Sequence, residues 1–206
     1  MPPRPPGPPV LRLRLADGRP VALRPVVPSD RERLAEGFDA LSAESRRLRF
    51  LGSVSHLSDA HLRYLTDVDH VDHVAWGALD LSDPDAPGFG VGRWIRLADE
   101  HDVAEFSLTV LDTAQGLGVG KLLLAVLAVV AETLDVRALR GVVGRENDRM
   151  SAWLRRLGAR TVAAEGDLTL DVPVPIDGLA GESAADFART CDAIRAAGRD
   201  QGAGWR

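Results

Sequence analysis

The run Val103–Leu111 carries Glu105, Ser107 and Thr109 at alternate positions, with Ala104, Phe106, Leu108 and Val110 between them. In a strand these two sets point to opposite faces. A strand central to a sheet covered on both sides should be apolar on both faces. The polar set therefore implies either a water-filled cleft or an exposed surface, and it places a carboxylate there that can accept a proton. Immediately downstream stands Gln115-Gly116-Leu117-Gly118-Val119-Gly120-Lys121, followed by a nearly all-apolar stretch from Leu122. A strand, a glycine loop and a helix start in succession aim free backbone N–H groups at one point, with the positive end of the helix dipole behind them. That is chemistry for an anion, and glycine lets the anion approach the backbone closely. A further cluster, Asp67-Val68-Asp69-His70-Val71-Asp72-His73, offers carboxylates and imidazoles within a few residues. Its spacing fits no zinc pattern. It reads as a loop whose Asp69 and Asp72 attract a cationic group such as an amine, with His70 a contact or a local hydrogen-bonding residue.

The glycine loop is not a nucleotide loop of either common kind. A Walker loop ends in Gly-Lys-Ser/Thr, whereas Gly120-Lys121 is followed by Leu122. A Rossmann fingerprint needs a third glycine where Lys121 stands. What remains is Q-x-x-G-x-G opening a buried helix, a pattern also met in a plain left-handed turn with spare glycines. Lys121 is the only lysine of the chain, and arginine supplies every other Lys or Arg position. Coding bias accounts for this, as does avoidance of self-modification by a protein that works on lysines.

The elements that must hold these groups follow from patterning. Val10–Leu15 and Val21–Leu23 flank Asp17-Gly18 and predict a hairpin. Ser29 to Glu32 has the form of a capping box opening a helix with Leu34, Phe38 and Leu41 on one face. A second helical patch covers 42–51, and Ser58 caps a third with Leu62 and Leu65. Strands are expected at 74–81, 89–97 and 103–111, then a buried helix over 122–134. A strand at 138–143 follows, then a helix opened by Asn147 and closed by Gly158, then a strand pair at 162–164 and 168–174. The order predicts a mixed α/β sheet, mostly antiparallel, with helices on both faces.

At 206 residues and 45% hydrophobic composition, the chain suits one domain with a real core. The expected divisions are a Pro-rich tail at 1–9, a domain at 10–175 and an extension at 176–206 with a short helix through Phe187, Cys191 and Ile194. That helix would dock on the domain or on a second copy in a homodimer, with fraying from Gly198. A net charge of −5 without a dense basic cluster argues against nucleic acid. The apolar run from Leu122 to Ala131 is too short for a membrane span, and the N-terminus has no signal-peptide core. One cysteine suits a cytoplasmic location.

Gln115 to Gly120, preceded by Leu108-Thr109-Val110, resembles the acetyl-CoA pyrophosphate loop of the GNAT superfamily of N-acetyltransferases. Asn147-Asp148-Arg149-Met150, Leu154 and Leu157-Gly158-Ala159 resemble that family's second motif. Leu48-Arg49-Phe50, Leu57-Ser58-Asp59 and Thr66-Asp67-Val68-Asp69-His70 are more specifically similar to the Pat-type bacterial protein lysine acetyltransferases. The resemblance covers about residues 20–172. It implies a GNAT-like sheet with a splayed strand pair, acetyl-CoA as co-substrate and no metal. It implies that the N–H groups of Gln115, Gly116, Leu117, Gly118, Val119 and Gly120 hold the pyrophosphate. Pantetheine would lie along Leu108, Thr109 and Val110, with an N–H near Val110 polarising the thioester carbonyl. Asn147 caps its helix, touches the cofactor, or does both. Glu105 matches the general base of the Pat-type enzymes, which would deprotonate a lysine amine inside a partly dry cleft. Many family members carry a tyrosine acid where this chain has Leu154, so the thiolate's proton donor has no counterpart here. The acceptor is then a protein lysine, or alternatively a small amine. A silent acyl-CoA-binding module is the reading from another class, and Glu105 argues against it.

Overall fold

The computed structural model describes residues 10–50, 54–83, 85–176 and 181–200. The expected Pro-rich tail at 1–9 lies outside the described residues. No described helix is long and apolar enough to cross a membrane.

The hairpin forms as β1 (Leu11–Arg14) and β2 (Pro20–Pro25), antiparallel with Leu11 opposite Leu23. Helix α1 (Arg31–Asp39) follows a short 3-10 turn over Pro28–Asp30. The expected Ser29 capping box is corrected here. Ser29 lies inside the 3-10 turn and Asp30 takes the cap position. The Asp30 carboxylate faces back, accepting the Val27 N–H at 2.9 Å and pairing with Arg24. Pro28 starts the turn one residue before the predicted cap, and an internal salt bridge outcompetes the local box. Helices α2 (Ala43–Phe50) and α3 (Asp59–Thr66) complete one layer. Ser58 caps α3 as its position predicts, its Oγ accepting the His61 N–H at 3.2 Å.

β3 (His73–Asp80), β4 (Gly90–Arg96) and β5 (Val103–Val110) form an antiparallel meander. Helix α4 (Val119–Thr133) crosses over to β6 (Ala138–Val143), which pairs in parallel with β5, the only parallel pairing among the described residues. A parallel neighbour requires such a crossover. After α5 (Asp148–Arg156), β7 (Arg160–Ala163) and β8 (Leu168–Pro173) close the sheet in the order β1-β2-β3-β4-β5-β6-β8-β7.

α4 lacks a polar face because it is covered on two sides. It packs on β3, β4 and β5, and α6 (Glu182–Asp200) packs on its back. Leu123, Leu124, Val126 and Leu127 are fully buried. Phe187, Cys191 and Ile194 of α6 are buried as well. Burying the two larger of these contributes about 1.5–3 kcal/mol each. Lys121 pairs with Asp186 at 2.7 Å and Arg195 with Glu132 at 2.6 Å, one near each end of α4. Both pairs are partly solvated and are worth about 0–1 kcal/mol. The C-terminal helix is thus 19 residues long, reaches past Gly198, and shares the core of this same chain. Burial pushes the Cys191 thiol up to about 12, which leaves it protonated.

Candidate active site

β5 and β6 stay paired only from Val103↔Ala138 to Phe106↔Gly141. Beyond that point β5 keeps β4 alone, and β6 keeps β8. Gly141 stands at the vertex, where a Cβ would lie 2.9 Å from the Phe106 ring and force that ring to shift. The Leu111 N–H donates to the Phe89 carbonyl, so odd-numbered residues of β5 bond toward β4. By strand alternation the N–H and C=O groups of Leu108 and Val110 point into the gap. Thr109 turns its backbone to β4 instead. Its hydroxyl accepts the Arg49 Nε–H at 3.0 Å.

The gap runs into the glycine loop. α4 begins at Val119, three residues before the expected Leu122, and its cap is Gly118 at φ +88°. A side chain at that angle costs energy, which is why glycine stands there. Among the described residues no backbone acceptor engages the N–H groups of Gly116 through Lys121. The Gln115 N–H does not join them, because it donates to the Asp112 carbonyl at 3.3 Å. Leu117 packs against the core, and its carbonyl accepts the Ala16 N–H. Asn147 caps α5, its Oδ1 accepting the Met150 N–H at 3.1 Å. Together these elements line a cleft of about 740 Å³ that includes Leu108, Thr109, Val110, Gln115, Gly116, Gly118, Val119, Gly120 and Asn147. Leu117 is not among its lining residues. Lys121 lines the cleft too, and its amine is held by Asp186.

Glu105 sits on β5 one residue before the vertex, on the face it shares with Ser107 and Thr109. It is exposed and does not line the cleft, unlike the partly dry setting the sequence suggests. Arg140, opposite it on β6, is held by Asp171 at 2.7 and 2.8 Å and by Glu100. Glu105 makes no ion pair within the described residues. Arg49 is the cation whose field it feels: burial pulls the Arg49 pKa down and the Glu105 charge opposes that.

The acidic cluster is not brought to the cleft. Asp69 Oδ1 accepts the N–H groups of Val71, Asp72 and His73 at 2.8–2.9 Å. Burial works against its charge, but these bonds hold the carboxyl below its usual range. Asp72 is taken by Arg96 at 2.7 Å. His70 has φ +58° and a buried Nδ1 without a partner. Asp69, His70 and Asp72 shape the turn into β3 and line neither the cleft nor the smaller cavity beside β4.

A sheet that splays between β5 and β6, beside a glycine loop opening the crossover helix that joins them, is the architecture of this site. No family model matches the chain. Over 144 residues it is 34% identical to an acetyltransferase of Pseudomonas aeruginosa, covering 70% of this chain and 77% of that protein. Over 158 residues it is 35% identical to Acetyltransferase Pat of Mycolicibacterium smegmatis, covering 74% of this chain but only 45% of that protein. Among solved structures it superposes on the GNAT domain of S. lividans PAT with TM-score 0.74 and 26% identity, over 80% of this chain and 97% of that one. The chain belongs to the Pat-like acetyltransferases of the GNAT superfamily. It spans under half the length of the mycobacterial relative.

Proposed function

We propose that the chain transfers an acetyl group from acetyl-CoA to an amine by direct attack, and that the amine is a lysine side chain presented by another protein. The observation that carries this is the continuity of one cleft from the unpaired edge of β5 to the free N–H groups at the start of α4. The pyrophosphate is held by Gly116, Gly118, Val119 and Gly120, where the helix dipole adds to the N–H donors. The Leu117 N–H also stays open, while Gln115 contributes its side chain, which donates to Ser45 at 3.2 Å and braces α2 against the loop. Pantetheine runs along Leu108–Val110 as an extra strand, and the Val110 N–H polarises the thioester carbonyl as an oxyanion donor does.

Glu105 takes the proton of the attacking amine, directly or through one water. The amine nitrogen bonds to the thioester carbon, the carbon–sulfur bond breaks, and coenzyme A leaves as the thiolate. Leu154 is fully buried and offers no acid, and a thiolate is a fair leaving group without one. The open position of Glu105 favours an acceptor carried on a protein surface. Asn147 braces the far wall through α5. The reading is tested by thiol release from acetyl-CoA against a panel of proteins and small amines, with Glu105→Gln as control. Turnover on small amines but on no protein overturns the lysine acceptor. Cofactor binding without any turnover overturns the enzyme reading.

A further inference from the structure

A second, smaller cavity of about 80 Å³ lies on the other side of β5, between the sheet and helices α1 and α3. Its floor includes Gly77 and Gly90, and Leu34, Phe38 and Leu65 give it apolar walls. Its charged groups are Arg24, Arg33, Arg49 and Arg93 against one carboxylate, Asp30. Asp30 is already bound by Arg24 at 2.5 and 2.7 Å.

Arg93 sets this cavity apart. It stands in the middle of β4 and is 5% exposed. Its Nη1 donates to the Leu65 carbonyl at 3.1 Å and lies 3.2 Å from His73 Nε2. Burial, and then the Arg93 charge, pull His73 down to about 4, so it is a neutral acceptor here and supplies no negative charge. Burial and the nearby Arg49 pull Arg93 down to about 9, which leaves it a cation at neutral pH. No carboxylate among the described residues pairs with it. Among the described residues its Nε and Nη2 make no hydrogen bond, and neither is a fully enclosed orphan. A buried cation with free donors and no counter-anion is costly, and an anion in the cavity relieves that cost.

The cavity also has a position in the reaction. Arg93 lies opposite Ser107, the residue two positions after Glu105 on the same face. Adjacent strands are about 4.8 Å apart. Leu41, Arg49 and Thr109 line both the cavity and the cleft, so the two spaces meet beside the proposed thioester path. With a water occupying roughly 30 Å³ of liquid, the space suits a carboxylate on a short chain.

We propose that this cavity is a carboxylate subsite, in which Arg93 binds the acid group of a substrate that carries it close to the reacting carbonyl or amine. The inference rests on the acyl-transfer reading above. The acid is on the acyl chain of a dicarboxylic monothioester of coenzyme A, or on an amine acceptor of the amino-acid type. The guanidinium fork matches a carboxylate with two parallel hydrogen bonds, and the apolar walls strengthen the pairing.

The test compares kcat/KM in two arms with the full chain. One arm sets succinyl-CoA against acetyl-CoA, and the other sets glutamate against its fully amidated derivative as acceptor. The acid-bearing substrate is expected to be preferred in one arm, which identifies the source. In Arg93→Met that preference falls roughly tenfold to hundredfold, the scale of a lost hydrogen bond to a charged group. Arg93→Lys keeps the charge without the fork and falls between. Succinate raises the melting temperature of the native protein but not of Arg93→Met, and succinamide raises neither. Absence of an acid preference in both arms overturns the subsite, as does a preference that survives in either Arg93 variant undiminished. Should Arg93→Met not fold, the native arms and Arg93→Lys decide. Calorimetry with acetyl-CoA separates the two readings. Binding without acid preference sinks only the subsite, whereas no binding sinks the acyl-transfer reading and the subsite with it.

Discussion

The two spaces that flank β5 are built from different materials. The large cleft is made of backbone: the open edge at Leu108 and Val110 and the N–H groups from Gly116 to Lys121. The small cavity is made of side chains, four arginines from β2, α1, α2 and β4 against an apolar shell. Backbone donors recognise what every molecule of a cofactor class has in common, a pyrophosphate and an amide chain. Side chains select among substrates, because each can be changed without moving the strand. The contrast is the one our proposals use, with cofactor binding in the first space and substrate choice in the second.

The largest expected effect is at Glu105, which lines neither space. Glu105→Gln should keep acetyl-CoA binding and lose roughly 10²–10⁴ in kcat. Stopped-flow or steady-state thiol release checks it, and an unchanged rate at saturating substrate removes Glu105 from the chemistry. Next in size, Gly118→Val forces a β-branched residue into a left-handed angle at a cost of about 1–3 kcal/mol. Acetyl-CoA affinity, read by calorimetry, should drop roughly tenfold or more, while succinate protection of the melting temperature stays. Equal loss of both would mean that the two spaces are one site. Asn147→Ala should cost about 1 kcal/mol of stability through the lost cap. A denaturant midpoint reads that, and an acetyl-CoA affinity that falls as well would show that Asn147 touches the cofactor besides capping.

A further effect is a pH dependence at His73, beside Arg93. His73 is pulled to about 4 in the folded chain from an ordinary 6.5, first by burial and then by Arg93. The unfolded chain takes up that proton at higher pH than the folded one. The associated stability is therefore complete above about 6.5 and is lost as pH falls through about 4. Melting temperatures across that window should decline, and His73→Gln should flatten the decline. Asp30 acts lower: burial opposes its charge, but Arg24 and the Val27 N–H hold it below 3.8. Its contribution is lost only under stronger acid. An undiminished slope in His73→Gln would mean that another group titrates there.

Much of the fold was legible because its signals are local. Asp17-Gly18 marks a hairpin, Ser58 and Asn147 mark helix starts, and Gly158 at φ +82° ends α5. The Ser29 box failed because Asp30 had a stronger partner six residues upstream, in Arg24, that no spacing rule contains. The start of α4 was displaced because Val119, Gly120 and Lys121 read as loop by composition, yet a helix needs only Gly118 to turn the chain. Asp69 and Asp72 looked available because their partners, three backbone N–H groups and Arg96, are set by a turn and a strand register.

By itself the sequence determined the strand–loop–helix from Val103 to Thr133, since alternation, glycine spacing and an apolar helix are all properties of neighbouring residues. It determined which face of β5 holds Glu105, Ser107 and Thr109 for the same reason. Only the tertiary structure decided that Glu105 is exposed, that α6 belongs to the core, and that Arg93 has no carboxylate partner among the described residues. Those facts depend on which distant elements come to lie against each side chain, and pairing across a sheet or a helix layer is not written in the spacing of any one segment.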